Sequence, residues 1–139
     1  MLDAGISFVY AENVTKSILA ELRAVAEIAI SKLKLNKLDI SIIFVSEIKI
    51  KQLNKLYRKK DKVTDVLSFF YGNEGEIFIC LKQAQKQAKN NKVDLQSELI
   101  KLVIHGFVHI AGHDHVKEDE YIKMNKVEKN IYDIYQKNI

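Results

Sequence analysis

The chain has few of the residues that interrupt or cross-link a fold. Its 139 residues include no proline, five glycines and one cysteine, Cys80. A single cysteine excludes a disulfide framework and is typical of a reducing, intracellular compartment, so we expect a cytoplasmic location. The sequence also lacks low-complexity tracts and internal repeats, and nothing in it resembles a linker. It therefore predicts one domain covering residues 1–139.

Long apolar runs are missing as well. No stretch approaches the roughly 20 apolar residues that a membrane-spanning helix needs. The first residues, MLDAGIS, do not resemble a signal peptide. We therefore expect no membrane partner, and the 47% of hydrophobic residues predicts a sizeable core instead.

Arginine is scarce, although the chain is basic. Only Arg23 and Arg58 are arginines among 22 basic residues. Arg58 lies in the segment Lys49–Lys62, which contains seven basic residues and a single acidic residue, Asp61. The net charge of this segment exceeds the +4 of the whole chain. A guanidinium group can hold a phosphate through two hydrogen bonds, a geometry that lysine does not reproduce. We predict a phosphate contact for Arg58; the alternatives are an ion pair with Asp61 or Asp65, and a basic segment that is simply a solvated helix face.

All four histidines lie within eleven residues, at positions 105, 109, 113 and 115. The apolar residues before them follow a helical period, and Asp94 is suited to cap that helix. On it, His105 and His109 would lie one turn apart on the same side. Gly112 is suited to end the helix and to let His113 or His115 return to the same point. The pattern predicts a metal centre with three imidazole ligands, the alternative being a closed structural site with four.

The expected chemistry of such a centre is hydrolysis. Zinc held by three imidazoles keeps one coordination position for water and lowers the pKa of that water to about 7. Zinc peptidases often carry His-Glu-x-x-His, in which the glutamate accepts the proton of the water. Here residue 106 is glycine, which argues against a peptidase.

The order of strands and helices predicts the fold class. Alternating or continuous apolar residues mark the strands, and helical periods with capping residues mark the helices. We expect an α+β domain in which one small mixed sheet of about four strands packs on helices. The predicted strands cover 6–10, 39–45, 66–71 and 76–80, with a turn at 72–75. The predicted helices cover 14–33, 46–57 with Ser46 as the N-cap, 81–90 and a segment after Asp94, and a last helix opens at 118–120.

Two segments of the chain resemble the YbeY family of bacterial endoribonucleases. Residues 53–69, LNKLYRKKDKVTDVLSF, are similar to the family's L-N-x-x-[YF]-R-x-K-D-x-P-T-[DN]-V-L-S-F, and residues 105–115, HGFVHIAGHDH, to H-G-x-L-H-L-x-G-[YH]-D-H. Between them, GEIFIC at 75–80 is similar to G-D-[IL]-x-I-C. The departures affect turn stiffness and packing: Val63 and Phe70 replace prolines, Glu76 an aspartate, Val108 and Ile110 leucines.

The resemblance implies a single-strand-specific endoribonuclease of ribosomal RNA maturation and ribosome quality control. It implies one Zn²⁺ per chain on a zincin-like helix, and partners that include ribosomal RNA, the small ribosomal subunit and assembly factors. The alternatives are a non-catalytic, zinc-stabilised ribosome-assembly factor and a zinc peptidase. The implied residues are His105, His109 and His115 as zinc ligands, Arg58 and His105 as catalytic, Arg58, Lys59 and Lys60 as RNA-binding, and Asp114 as a partner of a ligand or of the water.

Overall fold

The computed structural model describes residues 5–112 and 118–138. Within this part the chain alternates strands and helices in an order that matches the sequence prediction. The elements are β1 (Ile6–Val9), α1 (Lys16–Leu33), β2 (Asp39–Val45), α2 (Glu47–Arg58), β3 (Val66–Tyr71), β4 (Glu74–Cys80), α3 (Leu81–Asn90), α4 (Leu95–Ile110) and α5 (Glu118–Lys137).

The four strands form one mixed sheet in the order β1-β2-β4-β3. β1 is parallel to β2 and β2 is parallel to β4, whereas β3 is antiparallel to β4. The predicted α+β class with a small mixed sheet is therefore confirmed. Within residues 5–112 and 118–138, β3 pairs only with β4, so no described strand covers its other edge.

The main core lies between one face of the sheet and the helices α1, α4 and α5. Ten of the 16 residues of α4 are buried, since α4 contacts the sheet and the helices α1, α3 and α5. The other face of the sheet carries a smaller cluster, in which Ile50 of α2 packs with Leu67 and Cys80. Successive residues of a strand point to opposite faces, so α2 and α4 lie on opposite sides of the edge strand β3.

Local signals located the helices correctly. The hydroxyl of Ser46 accepts a hydrogen bond from the Lys49 amide (3.1 Å), and the carboxylate of Asp94 accepts one from the Ser97 amide (2.8 Å). Both are the predicted N-caps. Hydrogen bonds from the Ser97 side chain and, less strongly, from the Ser97 amide lower the pKa of the Asp94 carboxyl, because they stabilise its charged form.

One boundary correction concerns the hairpin between β3 and β4. The sequence suggested a four-residue turn at 72–75, but β4 already begins at Glu74, which pairs with Tyr71. Gly72 has φ +58°, a conformation that glycine adopts without strain and that suits a two-residue hairpin loop. β4 thus begins two residues earlier than predicted, whereas β3 ends at Tyr71 as predicted. At the other edge, β1 ends at Val9 rather than Tyr10, and α1 begins at Lys16 rather than Val14.

No helix in the described part of the chain is long and apolar enough to cross a membrane.

Candidate active site

His105 and His109 lie side by side on α4, as their spacing predicted. Their Nε2 atoms are 3.0 Å apart, and the rings meet edge to face with centroids 4.5 Å apart. Both residues are partly buried. α4 ends at Ile110, and Gly112 has φ +95° and donates its amide hydrogen to the His109 carbonyl at 2.9 Å. The predicted end of the helix at Gly112 is therefore observed.

Glu128 of α5 orients the first of these histidines. Its Oε2 lies 2.8 Å from Nδ1 of His105, and both side chains are largely shielded from solvent. When the ring donates its Nδ1 hydrogen to this carboxylate, the lone pair of Nε2 points toward His109. Histidine ligands of metals usually make such a contact with their second nitrogen. Glu128 was not predicted from the sequence.

The two imidazoles fit a zinc site. Two nitrogens at about 2.0–2.1 Å from one zinc ion in tetrahedral geometry are separated by roughly 3.3 Å, which is close to the observed 3.0 Å. Imidazole nitrogen is also a preferred zinc donor. Within residues 5–112 and 118–138, no three His, Cys, Asp or Glu side chains group as a metal site. The third predicted ligand, His115, lies outside these residues, as do His113 and Asp114.

Arg58 and the two histidines line the same cleft, which has a volume of about 250 Å³. Its walls come from the end of α2, the segment before β3, β3 itself and the last turns of α4. Since β3 is an edge strand between α2 and α4, the cleft opens along its uncovered edge. The lining residues include Arg58, Lys60, Lys62, Thr64, Asp65, Ser68, His105 and His109. Three cationic residues, Arg58, Lys60 and Lys62, thus share the cleft with the pair of histidines and with Asp65, an arrangement suited to an anionic group.

Arg58 does not form the ion pairs that were its alternative. Asp61 lies 3.9 Å from Lys55, and Asp65 bonds to Gln87. Among the residues that the structure describes, no ion pair involves Arg58, and its side chain is exposed beside the cleft. A position at the cleft without a structural carboxylate partner supports the predicted phosphate contact.

Asn54 shapes the loop that follows α2, in which the neighbouring residues Lys59 and Lys60 lie differently with respect to the cleft. The buried side chain of Asn54 donates a hydrogen bond to the Lys62 carbonyl (3.0 Å). The backbone carbonyl of Asn54 accepts one from the Lys60 amide (3.2 Å). These bonds fold residues 59–62 back onto the end of α2. Lys60 and Lys62 consequently line the cleft, whereas Lys59 is the left-handed C-cap (φ +58°) and is absent from its lining.

A buried polar network fixes the start of β3. The side-chain amide of Gln87 donates to both Asp65 (3.1 Å) and Glu98 (2.9 Å). Asp65 also accepts from the Val66 amide at 2.8 Å. Since both oxygens of Asp65 accept hydrogen bonds, its side chain is held in place at the floor of the cleft. Glu98, which is 2% exposed, lies 3.7 Å from the Lys101 ammonium and so has a cationic partner.

Gly106 is required by packing rather than by catalysis. A Cβ atom at this position would lie 2.7 Å from Cγ2 of Ile77 and 3.1 Å from Oγ of Ser68. The Ser68 hydroxyl donates to the Gly106 carbonyl at 3.1 Å, which holds α4 close to the sheet. A side chain at residue 106 therefore requires the side chain of Ile77 to shift.

The comparisons with known proteins agree with this geometry. Residues 8–136 match the family model described as endoribonuclease YbeY. The chain belongs to the YbeY family. It is 42% identical over 102 residues to endoribonuclease YbeY of Aquifex aeolicus, covering 68% of both chains, and 35% identical over 134 residues to that of Sulfurihydrogenibium, covering 90% of this chain and 86% of the relative. It also resembles a Thermotoga maritima protein of known solution structure, with a TM-score of 0.62, 28% identity and coverage of 96% and 93%.

The two YbeY-like segments form opposite walls of the same cleft. The segment 53–69 supplies Arg58, Lys60 and the start of β3, and the segment from His105 supplies the imidazoles. Sequence reasoning missed Glu128, Asn54 and Gln87. Each acts by contact with a residue on another element or loop, and no local spacing signals such a contact.

Proposed function

We propose that this chain is a metal-dependent hydrolase domain that cleaves single-stranded RNA internally. Membership of a family named for endoribonuclease activity supports the reaction class. The observation that carries the proposal is the cleft in which Arg58 and the basic segment face His105 and His109. A phosphodiester bound there would contact a guanidinium group on one side and the imidazole pair on the other.

One zinc ion, held by His105, His109 and His115, would supply a water molecule activated for attack on the phosphorus. His105 and His109 contribute their Nε2 atoms, which already lie 3.0 Å apart. Glu128 keeps the Nδ1 hydrogen of His105 occupied and so holds Nε2 in the orientation for a metal. Asp114 is proposed to orient a ligand or the water.

Arg58 would bind the phosphate and stabilise the charge that develops on its oxygens. A fixed guanidinium is suited to this task because it needs no reorganisation during the reaction. Lys60 and Lys62, which Asn54 turns into the cleft, would contact the neighbouring phosphates. Lys59 would add long-range attraction from outside the cleft. Together they predict affinity that depends on salt and little on base sequence.

We further propose that the RNA is ribosomal and that the protein acts in the cytoplasm, in ribosomal RNA maturation and ribosome quality control. The small ribosomal subunit and its assembly factors are the proposed partners. The resemblance of residues 53–69 and 105–115 to the YbeY patterns supports this assignment. A buried free thiol at Cys80 is compatible with a reducing compartment.

The decisive experiment pairs elemental analysis with a cleavage assay. Protein purified without a metal-affinity tag should contain one zinc per chain and should cut single-stranded RNA but not a duplex of the same sequence. After chelation it should still bind the RNA but cut nothing, and added zinc should restore cleavage. A zinc-loaded protein that binds the RNA without cutting it would indicate the non-catalytic assembly factor instead. Cleavage of a peptide library would indicate a peptidase, which the packing around Gly106 disfavours.

A further inference from the structure

An aromatic pair lies next to cleft residues along the chain, although neither ring is part of the cleft lining. Tyr57 immediately precedes Arg58, and Phe69 immediately follows Ser68; both Arg58 and Ser68 line the cleft. The rings of Tyr57 and Phe69 have centroids 5.0 Å apart and are tilted by 59°. Phe69 in turn packs edge-on against Phe78, with centroids 5.7 Å apart. The Tyr57 ring therefore has support from below, although the residue is 61% exposed.

Unlike Phe69 and Phe78, the Tyr57 ring is not buried by packing in the core. Phe69 and Phe78 are half-buried and pack on the small cluster beneath α2, whereas Tyr57 leaves most of its surface in water. A supported aromatic ring beside cationic side chains is the combination with which proteins bind single-stranded nucleic acids. The ring offers a face for a base, and the cations hold the adjacent phosphates.

Acidic residues on the same face of the sheet would limit how far a bound nucleic acid extends past Tyr57. Glu76 is the cross-strand partner of Phe69, and Tyr71 and Glu74 form the next pair on the same face. A hydrogen bond with Glu76 is the main cause that raises the pKa of Tyr71 to about 12, so the Tyr71 hydroxyl is engaged with an acidic group. These carboxylates would repel a phosphate backbone. The favourable part of the surface is thus confined to the exposed ring of Tyr57.

We propose that the Tyr57 ring, supported by Phe69, is a stacking subsite for one unpaired base next to the phosphodiester bound at Arg58. This inference rests on the proposed function and adds a reason for single-strand specificity. A base in a duplex is already stacked and paired, so it is not available to the ring without a cost. Stacking accepts every base, so the subsite would not select a sequence.

The test compares four full-length proteins: wild type, Tyr57→Ala, Tyr57→Phe and Tyr10→Ala. Tyr10 is 70% exposed and follows β1 at the opposite edge of the sheet, so it controls for loss of an exposed tyrosine. Binding is measured by fluorescence anisotropy with a short labelled oligoadenylate RNA and with an abasic oligomer of equal length. Thermal unfolding shows that each variant is folded.

Tyr57→Ala should weaken oligoadenylate binding about 5- to 100-fold, the range that loss of one stacked base produces. It should change binding of the abasic oligomer less than about twofold, because the phosphate contacts remain. Tyr57→Phe and Tyr10→Ala should both bind like wild type. The chain contains no tryptophan, so a Tyr57→Trp variant has a single indole. Oligoadenylate should quench the fluorescence of this indole, whereas the abasic oligomer should not.

Failure of the subsite is distinguishable from failure of the proposed function. If wild type binds and cuts single-stranded RNA but Tyr57→Ala binds it equally well, the subsite is wrong and the enzyme remains. Equal losses for oligoadenylate and the abasic oligomer would make Tyr57 a structural residue and overturn stacking. If wild type binds no single-stranded RNA, both proposals are wrong.

Discussion

Glu128 accepts a hydrogen bond from Nδ1 of His105 across the contact between α5 and α4, with a distance of 2.8 Å. The two residues are 23 positions apart in the chain. Through this bond, α5 determines which nitrogen of His105 faces His109. The C-terminal helix thus takes part in building the candidate metal centre, although it supplies none of the proposed ligands.

We expect Glu128→Ala to weaken zinc binding about 10- to 100-fold, the usual cost of losing such a partner of a histidine ligand. Glu128→Gln should have a smaller effect, because its amide oxygen still accepts a hydrogen bond but carries no charge. Zinc affinity is measured by competition with a chromophoric chelator, and circular dichroism checks the fold of the metal-free protein. The control is Asp133→Asn, which removes an exposed ion pair with Lys129 on the same helix. Equal zinc affinity in wild type and Glu128→Ala would show that the contact is only structural.

The ligand assignment predicts how each histidine variant behaves. His105→Ala, His109→Ala and His115→Ala should each lose stoichiometric zinc, because a site with three protein ligands depends on all of them. His113→Ala should retain it and is the matched control. Elemental analysis of the purified proteins measures the outcome. Full zinc content in His115→Ala, or loss in His113→Ala, would reverse the roles of these two residues.

Arg58→Lys separates binding from chemistry. The charge remains but the two-pronged geometry is lost, so kcat should fall by about 100-fold or more if the guanidinium stabilises the transition state. RNA affinity should change little and zinc content not at all. The matched control is Arg23→Lys. Arg23 is the only other arginine in the sequence, and it packs over Phe8 at the opposite edge of the sheet. An unchanged kcat with weaker binding would mean that Arg58 only positions the RNA.

Lys60 should matter more than Lys59 for RNA binding. Each phosphate contact to a single strand contributes about −0.7 to the slope of log affinity against log salt. Removing Lys60, which lines the cleft, should flatten that slope by about this amount, whereas Lys59→Ala should change it less. Titrations over a range of salt concentrations measure both slopes. Equal effects of the two substitutions would show that the RNA path extends beyond the cleft wall.

The sequence predicted the parts of the site that depend on local geometry. His105 and His109 are four residues apart on a helix, and helical geometry alone makes them neighbours. Asp94 and Ser46 were predicted as caps because their side chains bond to amides three residues away. The hairpin was predicted with too long a loop, because the alternation of side chains does not show where the paired strands end.

Contacts between distant residues were not predictable in the same way. Asn54 has the pattern of an ordinary polar position in a helix, yet its side chain bonds to the Lys62 carbonyl and its backbone carbonyl to the Lys60 amide, and both lysines line the cleft. Gln87 resembles a surface residue of α3, yet its side-chain amide bonds both to Asp65, which lines the cleft, and to the buried Glu98. Such roles depend on the orientation of the partner element, which the local pattern does not contain.

By itself, the sequence determined the helical pairing of two imidazoles, the basic segment around Arg58 and the family pattern that joins them. Only the tertiary structure brought these features together, because α2 and α4 pack on opposite sides of β3 and meet at its uncovered edge. It also assigned Glu128 to His105, and it distinguished Lys60 from Lys59 although they are adjacent in the chain. The physical reason is that helix and strand geometry act over a few residues, whereas the site is assembled by side-chain packing between elements far apart in sequence.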